Sequence, residues 1–370
     1  MKIGLIGAGR LGICLALLLE KAGYEVIVSD CRDDYITRLN NRIINTNEPQ
    51  VVEMLDDAKN FVATLDNVEV IKNCDIIYTL VPTPSLLDGS YDVSAVWQVV
   101  EDFKNCEFPI HGKTFVVGCT TNPGDCEMFQ EQLSAYGIDV YYNPEFIAQG
   151  SIIKDLQYAD MVLIGGEGRH LDVIKEIYNQ IQMIGPKVHV MSTTAAEFVK
   201  LAVNCFLTTK ITYANMVGEV MALSGRECEI SKVLKAIGDD TRVGSKYLKF
   251  GYGYGGPCLP RDNRAFAAHA KKLGLEYNLG LTTDSFNQEH SKFLVDWFVN
   301  KNKQNLPFCF HYVSYKEDTD IIEESQQYRL CCDLLNLNYK VYVVDNLVKS
   351  KCDERIVWGI PCEEVFWIDL

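Results

Sequence analysis

Lys2-Ile3-Gly4-Leu5-Ile6-Gly7-Ala8-Gly9-Arg10-Leu11-Gly12 opens the chain with a short apolar strand, a GxGxxG turn and the start of an apolar helix continued by Leu15 and Leu18. Glycines at this spacing allow a tight turn, close approach of backbone to a pyrophosphate, and close helix–sheet packing, while the helix N-terminus favours negative charge. A lone GxGxxG fits an ordinary turn equally well. Here Asp30 closes the next β-rich run, Glu25 to Ser29, about 20 residues on, where an acid bonds the adenosine ribose hydroxyls and repels the 2′-phosphate of NADP. Arg32 is the one nearby counter-signal. The reading is an NAD site built from Gly7, Gly9, Arg10, Leu11, Gly12 and Asp30.

Outward from this turn, strand-like runs alternate with helical patterns: Ile76 to Val81, Thr114 to Gly118, Asp139 to Tyr142 and Val162 to Ile164. That alternation predicts an α/β fold with an N-terminal Rossmann-type doubly wound sheet over residues 1–190. Val81-Pro82-Thr83-Pro84 and Cys119-Thr120-Thr121-Asn122-Pro123-Gly124 each put hydroxyls at the carboxyl edge of a strand, where ligands bind in such sheets. Thr83 and Thr120 are therefore cofactor candidates, although either turn alone is only a turn. Ser192-Thr193-Thr194 ahead of Glu197 reads as capping hydroxyls and an early acid starting a long helix, ended by Ser224-Gly225. A central long-helix domain is predicted over 191–300. Strand-like Phe308 to Ser314 and Lys340 to Val344, with helix-like Glu324 to Leu335 between them, predict a short Rossmann-like α/β domain over 301–370.

Composition narrows the function. Hydrophobic residues are 48% and charged residues 23% of 370, ordinary for a folded chain, and the formal charge is −15. A surface of that sign repels phosphate backbones, which argues against nucleic acid. No apolar run reaches the ~18 residues a membrane helix needs, and no secretory leader is visible. The 14 cysteines lack zinc-like spacing or a disulfide framework, so no metal is expected and a reducing, cytoplasmic compartment is the simplest reading.

Three further segments carry chemistry. They are Asn143-Pro144-Glu145-Phe146-Ile147-Ala148-Gln149-Gly150-Ser151, Ala196-Glu197-Phe198-Val199-Lys200-Leu201-Ala202-Val203-Asn204, and Gly253-Tyr254-Gly255-Gly256-Pro257-Cys258-Leu259-Pro260-Arg261-Asp262. Lys200 and Asn204, four apart, share a helix face and can direct a cation and an amide at one oxygen. A Lys on a helix is usually a solvated face, but its neighbours here are apolar. Cys258 lies in the most glycine-rich loop, where the sulfur can be exposed and a nearby cation can favour the thiolate. As bare sequence, a buried structural Cys is the commoner case, and Glu145 and Asp262 would be ordinary loop carboxylates.

In this order and spacing, the four segments resemble the UDP-glucose/GDP-mannose dehydrogenase family over nearly the whole chain. The resemblance implies a four-electron oxidation of a nucleotide sugar, UDP-glucose to UDP-glucuronate, by two NAD, with GDP-mannose as the nearest rival substrate. It implies Cys258 as nucleophile, Lys200 and Asn204 as oxyanion stabilisers, and Asp262, Glu145 and Thr120 as acid/base or water-orienting groups. Substrate contacts carried over are Phe146, Lys200, Asn204, Lys210, Arg242, Tyr247, Leu248 and Gly255. Arg242 would reach an adjacent subunit's site in a homodimer built on the long helices, and residues 301–370 would bind the nucleotide sugar.

The sequence departs from the family pattern at Gln149 (often Glu), Pro257, Asn122 (often Pro) and Glu323 (often Arg). Most fall at the substrate end. A carboxylate facing a pyrophosphate is unfavourable by about 4 kcal/mol at ~4 Å and an effective dielectric near ~20, so Glu323 asks for compensation, for instance from Lys316 or Lys340. These departures leave a catalytically silent NAD-binding paralogue as one rival. A two-electron 3-hydroxyacid-type dehydrogenase is another, though it would have no use for Cys258.

Overall fold

Strand β1 (Lys2–Ile6) ends one residue before the glycine turn and helix α1 (Arg10–Lys21) starts inside it. The computed structural model describes residues 1–370, which separate into two units, Met1–Lys200 and Leu201–Leu370. The first continues with β2 (Glu25–Ser29), α2 (Asp33–Asn40), α3 (Val51–Asp57), β3 (Phe61–Thr64), α4 (Asn67–Asn73), β4 (Ile76–Thr79) and α5 (Ser94–Lys104). Then come β5 (Thr114–Val117), α6 (Asp125–Ser134), β6 (Asp139–Tyr142), α7 (Ile152–Gln157), β7 (Met161–Gly165), α8 (Leu171–Ile181) and β8 (Lys187–Met191).

These strands form one eight-stranded sheet in the order β3-β2-β1-β4-β5-β6-β7-β8. It is parallel from β3 to β6, turns antiparallel where Tyr142 meets Gly165, and is parallel again between β7 and β8. One buried cluster joins α1, α2, α3, α7 and α8 to one face (Ile3, Leu5, Leu15, Ile36, Ile153, Ile177). A second joins α4, α5 and α6 to the other (Ile6, Val70, Val100, Phe115, Phe129). Covering both faces explains the unbroken apolar strands, since a parallel sheet exposes neither side. Helix α1 lies so deep that residues Gly12 to Leu19 are all buried. The order of strands reverses between β1 and β4, and a crevice outside their carboxyl ends is the ligand-binding position of doubly wound sheets.

Helix α9 (Thr193–Leu223) runs from the first unit into the second. The latter adds α10 (Ile230–Asp239), α11 (Leu259–Lys272), α12 (Leu279–Lys301), β9 (Phe308–Phe310), α13 (Gln326–Asn336), β10 (Val341–Val343), β11 (Val357–Trp358) and β12 (Phe366–Trp367). Its four strands form a parallel sheet in the order β11-β10-β9-β12. Phe308, Phe310, Val341 and Val343 are buried against Leu330 and Leu334 of α13 and Leu294 and Phe298 of α12. The expected α/β, long-helix and small α/β succession is therefore present. No helix is long and apolar enough to cross a membrane.

The start of α9 differs from its expected capping. Ser192 Oγ does accept from Ala195 N–H at 3.3 Å. Glu197 does not return to its own helix; its carboxylate caps α6 instead, accepting from Gly124 N–H at 2.7 Å and Cys126 N–H at 3.0 Å.

Candidate active site

Two glycines of the opening turn, Gly7 and Gly12, are required by the protein's own packing, and Gly9 is not. Gly7 has φ +101°, and a Cβ there would lie 2.7 Å from the Leu80 carbonyl oxygen. At Gly12 a Cβ would sit 2.0 Å from the Gly7 oxygen. At Gly9 it would meet no protein atom within 4 Å, so protein packing does not explain that glycine. That open space is what the close approach of a pyrophosphate to the backbone would need. The electrostatics agree. Helix α1 has no acid in its first turn and no side-chain cap, and it carries Arg10 at its positive end. A cation there opposes the helix dipole unless an anion sits between them.

Asp30 Oδ2 accepts from Ala8 N–H at 3.2 Å, which ties the second strand to the turn. Burial works against its charge, yet the Arg32 fork at 2.7 and 2.8 Å outweighs this and holds the carboxyl below its ordinary range. Arg32, the sequence's counter-signal, lies on Asp30 and over the Tyr35 ring at 4.1 Å. Thr83 is buried in the turn after β4, and Thr120 is half-buried in the turn after β5. Asn122, a departure from the family pattern, holds that second turn. Its amide pairs with both the N–H and the carbonyl of Tyr91, at 2.8 and 2.9 Å.

The turn after β6 carries Glu145 and Phe146. Lys200 Nζ donates to the Glu145 carbonyl oxygen at 2.9 Å and lies 4.8 Å from the Phe146 ring centroid, so these three candidates come together. The Tyr178 hydroxyl is 2.5 Å from Glu145 Oε1 and 2.8 Å from Asn143 Oδ1. Asn143 Nδ2 is committed to the Leu163 carbonyl, so its oxygen can only accept. One phenolic proton thus faces two acceptors, and a proton on Glu145 satisfies both contacts at once. Burial pushes the Glu145 carboxyl up to about 7, with Tyr178 and then Lys200 pulling it back only in part. This is a carboxyl able to hold or release a proton near neutrality.

Gln149 accepts from Arg10 Nη1 at 3.1 Å, linking this loop to the glycine turn. Glu48, absent from the sequence-based candidates, is buried beneath it and accepts from Gly150 N–H at 2.6 Å and Ile152 N–H at 3.2 Å. A lone Glu in an irregular stretch gives no sequence signal for such a role.

In the second unit, Cys258 is exposed and occupies the N-cap of α11. It thus sits at the positive end of a 14-residue helix, a position that favours negative charge. Asp262, one turn further, is buried, and its Oδ2 accepts from Asn204 Nδ2. Amides that the sequence did not single out hold the glycine loop. Asn287 of α12 pairs with both the N–H and the carbonyl of Tyr254, at 3.0 and 2.9 Å, and a Cβ on Gly253 would lie 2.1 Å from its oxygen. Asn215 of α9 accepts from Gly251 N–H at 3.0 Å. A Cβ on Gly255 would lie 2.3 Å from the Glu324 carbonyl oxygen, so that candidate glycine also has a packing reason.

Lys210 Nζ donates to the carbonyls of Val243 and Gly244, at 3.1 and 3.0 Å. Next to them Arg242 is exposed and forks onto Asp240. Tyr247 is exposed with φ +62°, while Leu248 packs in a small core with Ala214, Ile230 and Leu234. Glu323 is exposed, and Lys340, one suggested compensator, is engaged by Glu363 at 2.6 Å.

Residues 1–182 match the NAD-binding domain of the UDP-glucose/GDP-mannose dehydrogenase family, and residues 194–289 match that family's central domain. The chain is 30% identical to the putative UDP-glucose 6-dehydrogenase YtcA of Bacillus subtilis, over 93% of this chain and 81% of that protein. It superposes on a UDP-glucose dehydrogenase from Pyrobaculum islandicum with a TM-score of 0.86 at 25% identity, covering 97% of this chain and 86% of the other. A UDP-D-ManNAc dehydrogenase from Pyrococcus horikoshii shares the fold, with a TM-score of 0.79 at 22% identity over 93% and 83% of the two chains.

Proposed function

The chain belongs to the UDP-glucose/GDP-mannose dehydrogenase family of NAD-dependent oxidoreductases, and from that premise we propose that it oxidises UDP-glucose to UDP-glucuronate through a thioester on Cys258. The observation that carries this reading is Cys258 itself, exposed at the N-terminus of α11 in a loop whose glycines are each fixed by a close neighbour.

NAD, when bound, supplies the hydride acceptor for each of the two oxidations. Gly9, the α1 N-terminus and Arg10 hold its pyrophosphate, Asp30 its adenosine ribose, with Leu11, Thr83 and Thr120 as further contacts. The C6 alcohol loses a proton and a hydride to give the aldehyde. The Cys258 thiolate adds to that carbon, forming a C–S bond and an oxyanion that takes a proton. The thiohemiacetal is tetrahedral and gives up a second hydride and its proton, leaving a thioester. Water then cleaves the C–S bond, returning the thiol and releasing the carboxylate. Overall one alcohol, two NAD⁺ and one water give one carboxylate, two NADH and three protons.

Lys200 and Asn204 stabilise the oxyanions. Glu145, with a carboxyl near neutrality, moves a proton at the C6 oxygen, Asp262 orients the hydrolytic water, and Thr120 is a further acid/base or water-orienting group. Phe146, Lys210, Arg242, Tyr247, Leu248 and Gly255 serve as sugar-nucleotide contacts. Residues 1–190 form the cofactor domain, 191–300 the helical domain and 301–370 the nucleotide-sugar domain of a cytoplasmic homodimer. Dimerisation is supported by α9, where Phe206, Tyr213, Met216, Val220 and Leu223 are exposed at coiled-coil spacing.

Product analysis tests the substrate. Incubation with NAD and UDP-glucose, GDP-mannose or an N-acetylated UDP-hexose should yield UDP-glucuronate from the first at the highest kcat/KM. A higher kcat/KM for either of the others overturns the choice of sugar.

A further inference from the structure

Glu197 is fully buried, yet the chemistry above gives it no role. Its Oε1 accepts from the Thr121 hydroxyl at 2.8 Å and from Cys126 N–H at 3.0 Å, and its Oε2 accepts from Gly124 N–H at 2.7 Å. Thr121 and Gly124 belong to the turn between β5 and α6, and Cys126 to the first turn of α6. The N-cap of α6 is Gly124, with φ +100° and no side chain to cap the helix, so α9 supplies the missing acceptor. A carboxylate at that helix end is favoured by the dipole, which offsets part of the cost of burying it. Burial still pushes the group up to about 7, against the bonds from Cys126, Gly124 and Thr121. Asn122 braces the same turn from the other side through Tyr91.

We propose that Glu197 is a positioning residue for the cofactor: from α9 it fixes the Thr121–Cys126 turn so that Thr120 is presented to the nicotinamide half of NAD. The inference rests on the assignment of Thr120 to the cofactor site. Strand β5 lies on the β4 side of the strand-order reversal, whereas Asp30 and the adenosine-binding end of the site lie on the β2 side. The turn held by Glu197 therefore belongs to one half of the dinucleotide. One helical turn on, Lys200 holds the Glu145 carbonyl, so the first turns of α9 pin two successive strand-end loops.

Isothermal titration of NAD and of AMP into wild-type protein, Glu197→Gln and Thr121→Val separates this role from general destabilisation. Gln keeps the volume but opposes an NH2 to an N–H donor, so the NAD Kd should rise about tenfold while the AMP Kd stays within about twofold. Thr121→Val removes one bond and should raise the NAD Kd about threefold; it decides the matter if Glu197→Gln does not fold. Equal weakening of NAD and AMP, or folded variants that bind NAD like wild type, overturns the positioning role. Wild-type protein that binds neither nucleotide refutes the cofactor site itself, and the positioning role with it. No step of the test depends on which sugar is oxidised.

Discussion

Glu145 shows what one buried carboxyl contributes. Its folded-state pKa, about 7, lies above the ordinary 4.5, so the native state keeps the proton longer than the unfolded chain. The stability it supplies is complete below the unfolded value and is lost as pH climbs through about 7. Glu145→Gln removes this titration. The melting temperature of wild type relative to the variant should therefore fall as pH rises from about 5 to about 8, with at most about 3 kcal/mol involved. A difference that stays flat across that range contradicts the assignment. Glu145 was legible as a candidate through the Asn-Pro-Glu-Phe motif, but its proton-holding environment was not. Burial supplies it, against the pull of Tyr178, 33 residues away in α8, and no local pattern marks such surroundings.

At the scale of elements, α9 divides into what local pattern reveals and what tertiary structure adds. Its length and its Lys200–Asn204 face were readable from periodicity. The role of Glu197 was not, because S/T-x-x-E is the signature of a helix capping itself, and here the acid satisfies another helix's donors. The amides Asn215 and Asn287 were equally hidden, since each bonds a glycine loop more than 30 residues distant. Strands β3 and β8 were both missed; β8, over Lys187-Val188-His189-Val190, is an exposed edge without an apolar run. The exposed stripe of α9 gives a prediction of its own. Placing a charge in it, Val220→Glu, should convert the proposed dimer to monomer in sedimentation velocity. A wild-type monomer, or a variant dimer of unchanged affinity, contradicts pairing through α9.

For the whole molecule, the alternation of apolar runs with helical patterns was enough to read the order of α/β sheet, long helix and second α/β sheet. The antiparallel junction between β6 and β7 escaped because strand direction is set by the path of the connecting chain, which hydrophobicity does not encode. The candidate site was legible as residue pattern: glycines in a turn after the first strand, a cysteine in a glycine loop, an acid one turn later. It was unreadable where buried polar groups brace those loops from afar. The central claim is that one protein carries a sugar alcohol through two oxidations without releasing the aldehyde, because Cys258 holds it. Counting NADH formed per UDP-glucose consumed, for wild type and Cys258→Ser, measures this directly. Wild type should give two NADH per sugar and no trappable aldehyde, and the Ser variant, unable to form the thioester, should lose turnover by at least about a hundredfold. One NADH per sugar from wild type, or full four-electron turnover by the variant, would contradict the account.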